Sequence, residues 1–436
     1  MTTLPPPDVA GAPGATDALG TPAPQTASPS RSSPFVALQH RNFRLLWSGQ
    51  LVSFSGSMMQ TAAILWHVSL LVPADRKALA LGLVGLTRVV PIIVFSLAAG
   101  VVADALDRRK LMMLTQSAMA LIAVALALLT FRGLSNVWPI YLLAALSSAA
   151  GSFDGPARQS LVPNLVPREH LPSAISLNTI MMQIASVAGP AVGGLIIAKQ
   201  NVGWVYVLNA LSFFFVLGAL ARMRSVTANR GETSTVSLRA MLEGLRYVFS
   251  APLIRSTMLL DFFATFFSSA TALLPIFAQD ILGVGATGYG WLYSAPAIGA
   301  VVMSIVMVHL VERIEKRGVV LLWAVLGYGL ATAVFGLSRS FWLTFACLAM
   351  TGVTDTVSIV LRNIVRHMET PDRLRGRMTG VNMVFFMGGP QLGELEAGLV
   401  ANWFGAPFSV ISGGLACLAA TAIVAARTPA LRAYRK

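Results

Sequence analysis

Five charged residues sit inside otherwise apolar stretches: Arg88, Asp261, Asp355, Glu394 and Glu396. A charge surrounded by hydrocarbon is costly, so such residues are functional candidates by default. Burial brings the neutral and ionised forms of a carboxyl group closer in free energy, and the group can then take up and release a proton. Asp261, set in Leu259-Leu260-Asp261-Phe262-Phe263, and Glu394 are the preferred proton-coupling candidates. The bland readings of both are a water-facing helix end or a structural ion pair, for which Arg88 is a candidate partner. Asp355 stands two helical turns before Arg362 and reads as a structural pair with it. Glu394 and Glu396 are two residues apart, so on a helix they cannot face the same way.

The elements that hold these residues are legible from composition. Of 436 residues, 55% are hydrophobic and 11% charged, against about 25% charged in soluble domains. Twelve apolar stretches are long enough to cross a bilayer as helices. They are 43–71, 79–103, 111–131, 137–157, 173–198, 202–221, 253–279, 287–310, 318–338, 341–365, 376–401 and 405–426. Assigning alternate loops to two sides places 26 Lys and Arg on the side of both termini and 5 on the other. By the positive-inside rule both termini are cytoplasmic. The net charge of +14 is therefore a topology signal, not a nucleic-acid surface. Residues 1–34 hold eight of the 23 prolines and read as a disordered tail. Cys347 and Cys417 lie in apolar runs, no metal-ligand spacing occurs, and no Gly-x-x-x-x-Gly-Lys phosphate loop is present. No metal, cofactor or enzymatic activity is expected.

The polar stretch 222–252 separates six spans from six, and features recur about 200 residues apart, the mark of an internal repeat. Gly189-Pro190-Ala-Val-Gly193-Gly194 answers Gly389-Pro390-Gln-Leu-Gly393-Glu394, and Asp154 answers Asp355. Gly189/Gly193 and Gly389/Gly393 have the spacing that lets helices approach closely, and Pro190 and Pro390 each remove a helical hydrogen bond. The expected organisation is a tail (1–34), a six-helix unit (35–221), a cytoplasmic linker (222–252), a second six-helix unit (253–426) and a cytoplasmic end (427–436). Trp66, His67, Phe262, Phe263, Phe266, Phe267, Tyr293, Phe385 and Phe386 could line a cavity between the units. Trp, Tyr and His near span ends more often serve as interfacial anchors.

The loop Gly100-Val-Val-Ala-Asp104-Ala-Leu-Asp107-Arg108-Arg109-Lys110 resembles the signature loop of the major facilitator superfamily, with Ala105 and Asp107 where Arg and Gly are usual. Phe153-Asp154-Gly155-Pro156-Ala157-Arg158, Leu242-Glu243-Gly244-Leu245-Arg246-Tyr247-Val248, Arg375-Gly376-Arg377 and Leu392-Gly393-Glu394-Leu395-Glu396 are similar to the branch holding the enterobactin exporter and secretion effectors. The resemblance implies an all-α fold of twelve transmembrane helices in two pseudo-symmetric halves. It also implies gating by Gly100, Asp104, Asp107, Arg108, Arg109, Asp154 and Arg158, with Asp104 facing the start of span 11 and the basic residues pairing with cytoplasmic acids. The Gly189-Pro190-Ala-Val-Gly193-Gly194 segment is read as antiporter-like. The expected function is proton-coupled export of a siderophore or amphipathic drug by a monomer in a bacterial inner membrane, with lipid, protons and a small-molecule cargo as partners. An importer or uniporter of a small metabolite, and a non-transporting scaffold or receptor, are the alternatives.

Overall fold

The computed structural model describes residues 35–224, 245–371 and 374–436, apart from some side chains within helices. The expected tail 1–34 and most of the linker 222–252 lie outside the described residues. Among those described there is no strand, and twelve helices of 16 to 31 residues follow one another. They are α1 (Arg41–Leu71), α2 (Lys77–Ala105), α3 (Arg108–Phe131), α4 (Trp138–Leu161), α5 (Leu171–Lys199) and α6 (Val202–Arg222). After the linker come α7 (Pro252–Phe267), α8 (Gly285–Leu310), α9 (Arg317–Leu337), α10 (Phe341–Glu369), α11 (Arg375–Phe404) and α12 (Ala406–Arg427). Nine helical segments among the described residues are long and apolar enough to cross a membrane.

One expected span is not continuous. The apolar run 253–279 breaks after Phe267 and resumes as short turns, Ala270–Leu273 and Leu274–Ile276, then a π-helical turn, Phe277–Ile281. The chain leaves helical dihedrals at Ser268 (φ −106°, ψ 19°) and Ser269 (φ −79°, ψ 62°), and Pro275 is suited to the first turn of the short helix that follows. Ser269 sits in the gap and donates its hydroxyl to the Pro390 carbonyl of α11 at 2.7 Å. In an apolar setting such a break is tolerated only when the freed groups find partners like this one.

The helices α1 to α6 pack chiefly on one another, as do α7 to α12, and α2–α11 and α5–α8 are the large contacts between the two sets. Small residues set these approaches. A Cβ on Gly189 would lie 2.6 Å from the Ser55 carbonyl, so the expected Gly189/Gly193 pair packs α5 on α1. Gly389 abuts Thr265 and Gly393 abuts Phe266 and Ser269, packing α11 on α7 in the corresponding way. Between the two sets, Gly194 meets Gly290 (α5–α8) and Gly82 meets Gly398 (α2–α11), each with a Cβ-to-Cα separation under 3.0 Å.

The apolar cores show which end of the bundle is shut. At the end away from the chain termini, one core joins Ala62, Trp66 and Ala78 of the first set to Leu274, Phe277, Tyr289 and Ala401 of the second. Near the termini, the cores around Phe43, Met112 and Leu161, around Leu321, Leu361 and Leu431, and around Ile254 and Met378 each belong to a single set. Apolar burial therefore holds the two sets together at the far end.

Candidate functional site

Glu394 lies one turn beyond Pro390 on α11, buried against α2 at Gly85. A Cβ on Gly85 would stand 2.8 Å from the Glu394 Cβ and 3.0 Å from its Oε2, so the absence of a side chain at 85 makes the space the carboxyl group occupies. That Oε2 meets no hydrogen-bond donor among the described residues. The countercharge is Arg88, one turn further along α2. Arg88 also lies beside the Tyr293 hydroxyl of α8 and donates to the Thr61 carbonyl of α1 at 3.4 Å. Tyr289 is fully buried beside Tyr293, with ring centroids 5.9 Å apart, and donates to the Ala62 carbonyl at 2.8 Å. Helices α1, α2, α8 and α11 thus converge on one carboxyl–guanidinium–phenol cluster, with both sets of helices represented.

The internal repeat gives this cluster its meaning. Gly194 and Glu394 hold corresponding places in the two Gly-Pro segments, and Gly290 and Gly85 are their respective partners. Arg88 and Tyr293 each follow their glycine by three residues. One crossing between the sets is glycine against glycine; its counterpart is glycine against a buried acid. The pattern departs from symmetry by placing a titratable group at one of two equivalent crossings. Glu396 is half-buried on another face of α11 and does not join Glu394.

The other candidates fall into separate places. Asp261 is buried and ion-paired to Arg362 of α10, not to Arg88, the partner its structural reading offered: helices α7 and α10 lie together, and the guanidinium of Arg362 is only 3% exposed. Asp355 shares that guanidinium at 3.7 Å, as its two-turn spacing suggested. Arg366, also buried, donates to Asn363. Beside this network a cavity of about 110 Å³ is lined by Ser268, Thr271, Tyr328, Thr332, Thr351 and Asp355.

Asp154 is buried on α4 and accepts from Gln116 Nε2 at 2.9 Å and Thr115 Oγ1 at 3.1 Å. Arg158 lies within its field and stacks over Phe54 at 4.3 Å. In the signature loop, Asp107 caps α3 by accepting from the backbone of Arg109 and Lys110. Arg108 donates to the Ser160 carbonyl at 2.8 Å and Arg109 to the Ala221 carbonyl at 3.1 Å. Among the described residues these two cations thus bond carbonyls at the ends of α4 and α6, where a cation also suits the helix dipole, and not the expected acids. The side chains of Asp104 and of Arg375 and Arg377 lie outside the described residues, as does Gly100.

Sequence reasoning missed a connection at the shut end. Lys77, at the start of α2, is buried and bonds Asp280 Oδ2 at 2.9 Å and Gln279 Oε1 at 3.3 Å on the π-helical turn. Gln279 in turn donates to Ser69 of α1 at 2.8 Å. Lys77 reads as a loop charge in sequence, and its partners stand about 200 residues away. Tyr289 was equally silent, being one aromatic residue among many.

Comparison with known proteins agrees with the fold. A family model described as transmembrane secretion effector matches residues 32–434. The enterobactin exporter EntS of Escherichia coli O1:K1 is 28% identical over 316 residues, 72% of each chain, and that of Shigella boydii serotype 18 is equally so. A bacterial homologue of the lysosomal transporter Spinster, solved inward-facing and unoccupied, superposes with a TM-score of 0.69 at 14% identity, over 91% of this chain and 99% of its own. A bacterial homologue of the iron transporter ferroportin, also inward-facing, gives 0.65 at 14% identity, over 90% and 99%.

Proposed function

The chain belongs to the transmembrane secretion effector family, a group of membrane transporters of the major facilitator type, and on that premise we propose that it exports a siderophore or another amphipathic small molecule in exchange for protons. The membrane is the bacterial inner membrane, with both termini cytoplasmic, and the halves are 35–221 and 253–426, joined by the linker 222–252. In that orientation the shut end faces outward. The reading draws its cargo class from the likeness to enterobactin exporters and its coupling from one observation, a buried glutamate at the crossing of the two halves.

The geometry suggests how coupling works. Ionised Glu394 attracts Arg88, which ties α2 to α1 through Thr61 and lies beside Tyr293 of α8. Cargo entering from the cytoplasm competes for Arg88 or Glu394, loosens the crossing and lets the outer end open. Once cargo has left, a proton from outside neutralises Glu394, so the crossing can close without an unpaired buried charge. Release of that proton to the cytoplasm restores the attraction between Glu394 and Arg88. Cargo and proton alternate at one site, which is the requirement for exchange. Asp261, held by Arg362 inside one half, is better placed as a structural pair than as the exchanging group.

The test is uptake of labelled enterobactin, used as a probe, into everted vesicles with and without an inward-acid gradient. Uptake that needs the gradient supports the proposal. Uptake indifferent to the gradient indicates a uniporter, uptake only into right-side-out vesicles an importer, and Glu394→Gln without effect on any flux a protein that does not exchange protons there.

A further inference from the structure

The C-terminal segment folds back onto the bundle. Leu431 is fully buried in the core of α9, α10 and α12, and the Gly318 amide donates to the Tyr434 carbonyl at 3.1 Å. Lys436 is tied twice, its amide to the Glu315 carbonyl and its Nζ to the Glu312 carbonyl, both at 2.8 Å. This docking brings Arg432 to one end of a groove of about 240 Å³ between α9 and α12. Leu322, Trp323 and Leu326 form one wall, Ala422 and Ala425 the other. Thr421, the polar residue along it, donates its hydroxyl to the Cys417 carbonyl and so asks nothing of an occupant. Trp323 is 69% exposed at the rim. From Val319 to Leu326 the groove side of α9 extends for about 10 Å, a span suited to part of an acyl chain.

The mouth is cationic. Arg432 lines it, Arg427 and Arg435 lie within five residues of Arg432 in the chain, all three are exposed, and none is ion-paired among the described residues. The acids on the neighbouring turns are Glu312 and Glu315, both exposed, and Glu369 near Tyr434. An apolar channel ending at an unpaired guanidinium, on a segment with further arginines, matches a phosphate carrying acyl chains.

We propose that the groove between α9 and α12 binds an anionic phospholipid, with its phosphate at Arg432 and an acyl chain along Leu322, Leu326 and Ala425. Binding there clamps the C-terminal segment to the outer helices of the second half. The experiment is native mass spectrometry of the full chain in mixed micelles of phosphatidylglycerol and phosphatidylcholine. Wild type should retain phosphatidylglycerol selectively, and Arg432→Ala should lower that retention about fivefold, in line with one cation's share of the attraction. Arg432→Lys should keep most of it, and Leu326→Trp, which fills the groove, should lower it with the charges intact. Equal retention of the two lipids, or an Arg432→Ala variant that holds phosphatidylglycerol as wild type does, overturns the proposal. So does competition by water-soluble glycerophosphoglycerol as effective as by the intact lipid, since charge without the groove would then suffice.

Discussion

At the scale of the residue, two acids of similar appearance in sequence have different surroundings. Glu394 has an oxygen without a donor and a shared cation, Arg88; Asp261 has a dedicated partner in Arg362. Removing one member of a buried pair strands the other, at a cost of about 3–5 kcal/mol. Asp261→Asn or Arg362→Met alone should therefore lower the melting temperature in detergent markedly, and the double variant should recover much of the loss. Glu394→Gln should leave melting close to wild type while reducing gradient-driven transport by about tenfold or more, since it removes an exchangeable group and not a satisfied pair. The depth of both acids was legible in the sequence because a charge within an apolar run stands out. Their partners were not. Arg362 and Arg366 counted toward the cytoplasmic loops by charge, yet both are buried on α10, because a helix that continues to Glu369 carries its charges inward past the point where hydropathy declines.

At the scale of the element, the crossings between halves depend on small residues and on one polar latch. Gly82→Leu would drive a side chain into the Gly398 backbone and should keep α2 and α11 apart at the shut end. Lys77→Ala should act in the same direction without steric bulk, by freeing Asp280 and Gln279. Maleimide labelling of single cysteines placed near Trp66 should rise in both variants, and unchanged labelling in both would mean that the apolar core alone keeps that end shut. The Gly-Pro repeat that sets these crossings was visible as a local pattern. The break after Phe267 was not, because hydropathy runs unbroken through Ser268 and Ser269 and only the reach of Ser269 to Pro390 shows where the helix yields.

At the scale of the whole molecule, fold and family follow from twelve helices among the described residues, their order of packing and the family match, and charge asymmetry is the basis of the sidedness proposed above. What sequence could not supply was the present posture of the bundle, shut at one end by a core spanning both halves. The central claim is that Glu394 exchanges a proton at the crossing of those halves. It is tested most directly by comparing wild type and Glu394→Gln in everted vesicles, measuring probe uptake both down an imposed gradient and as exchange with probe already inside. The account predicts that the variant loses gradient-driven uptake but keeps exchange, because cargo can still alternate with cargo when it cannot alternate with a proton. A Glu394→Gln protein that still concentrates the probe in response to the gradient would contradict it.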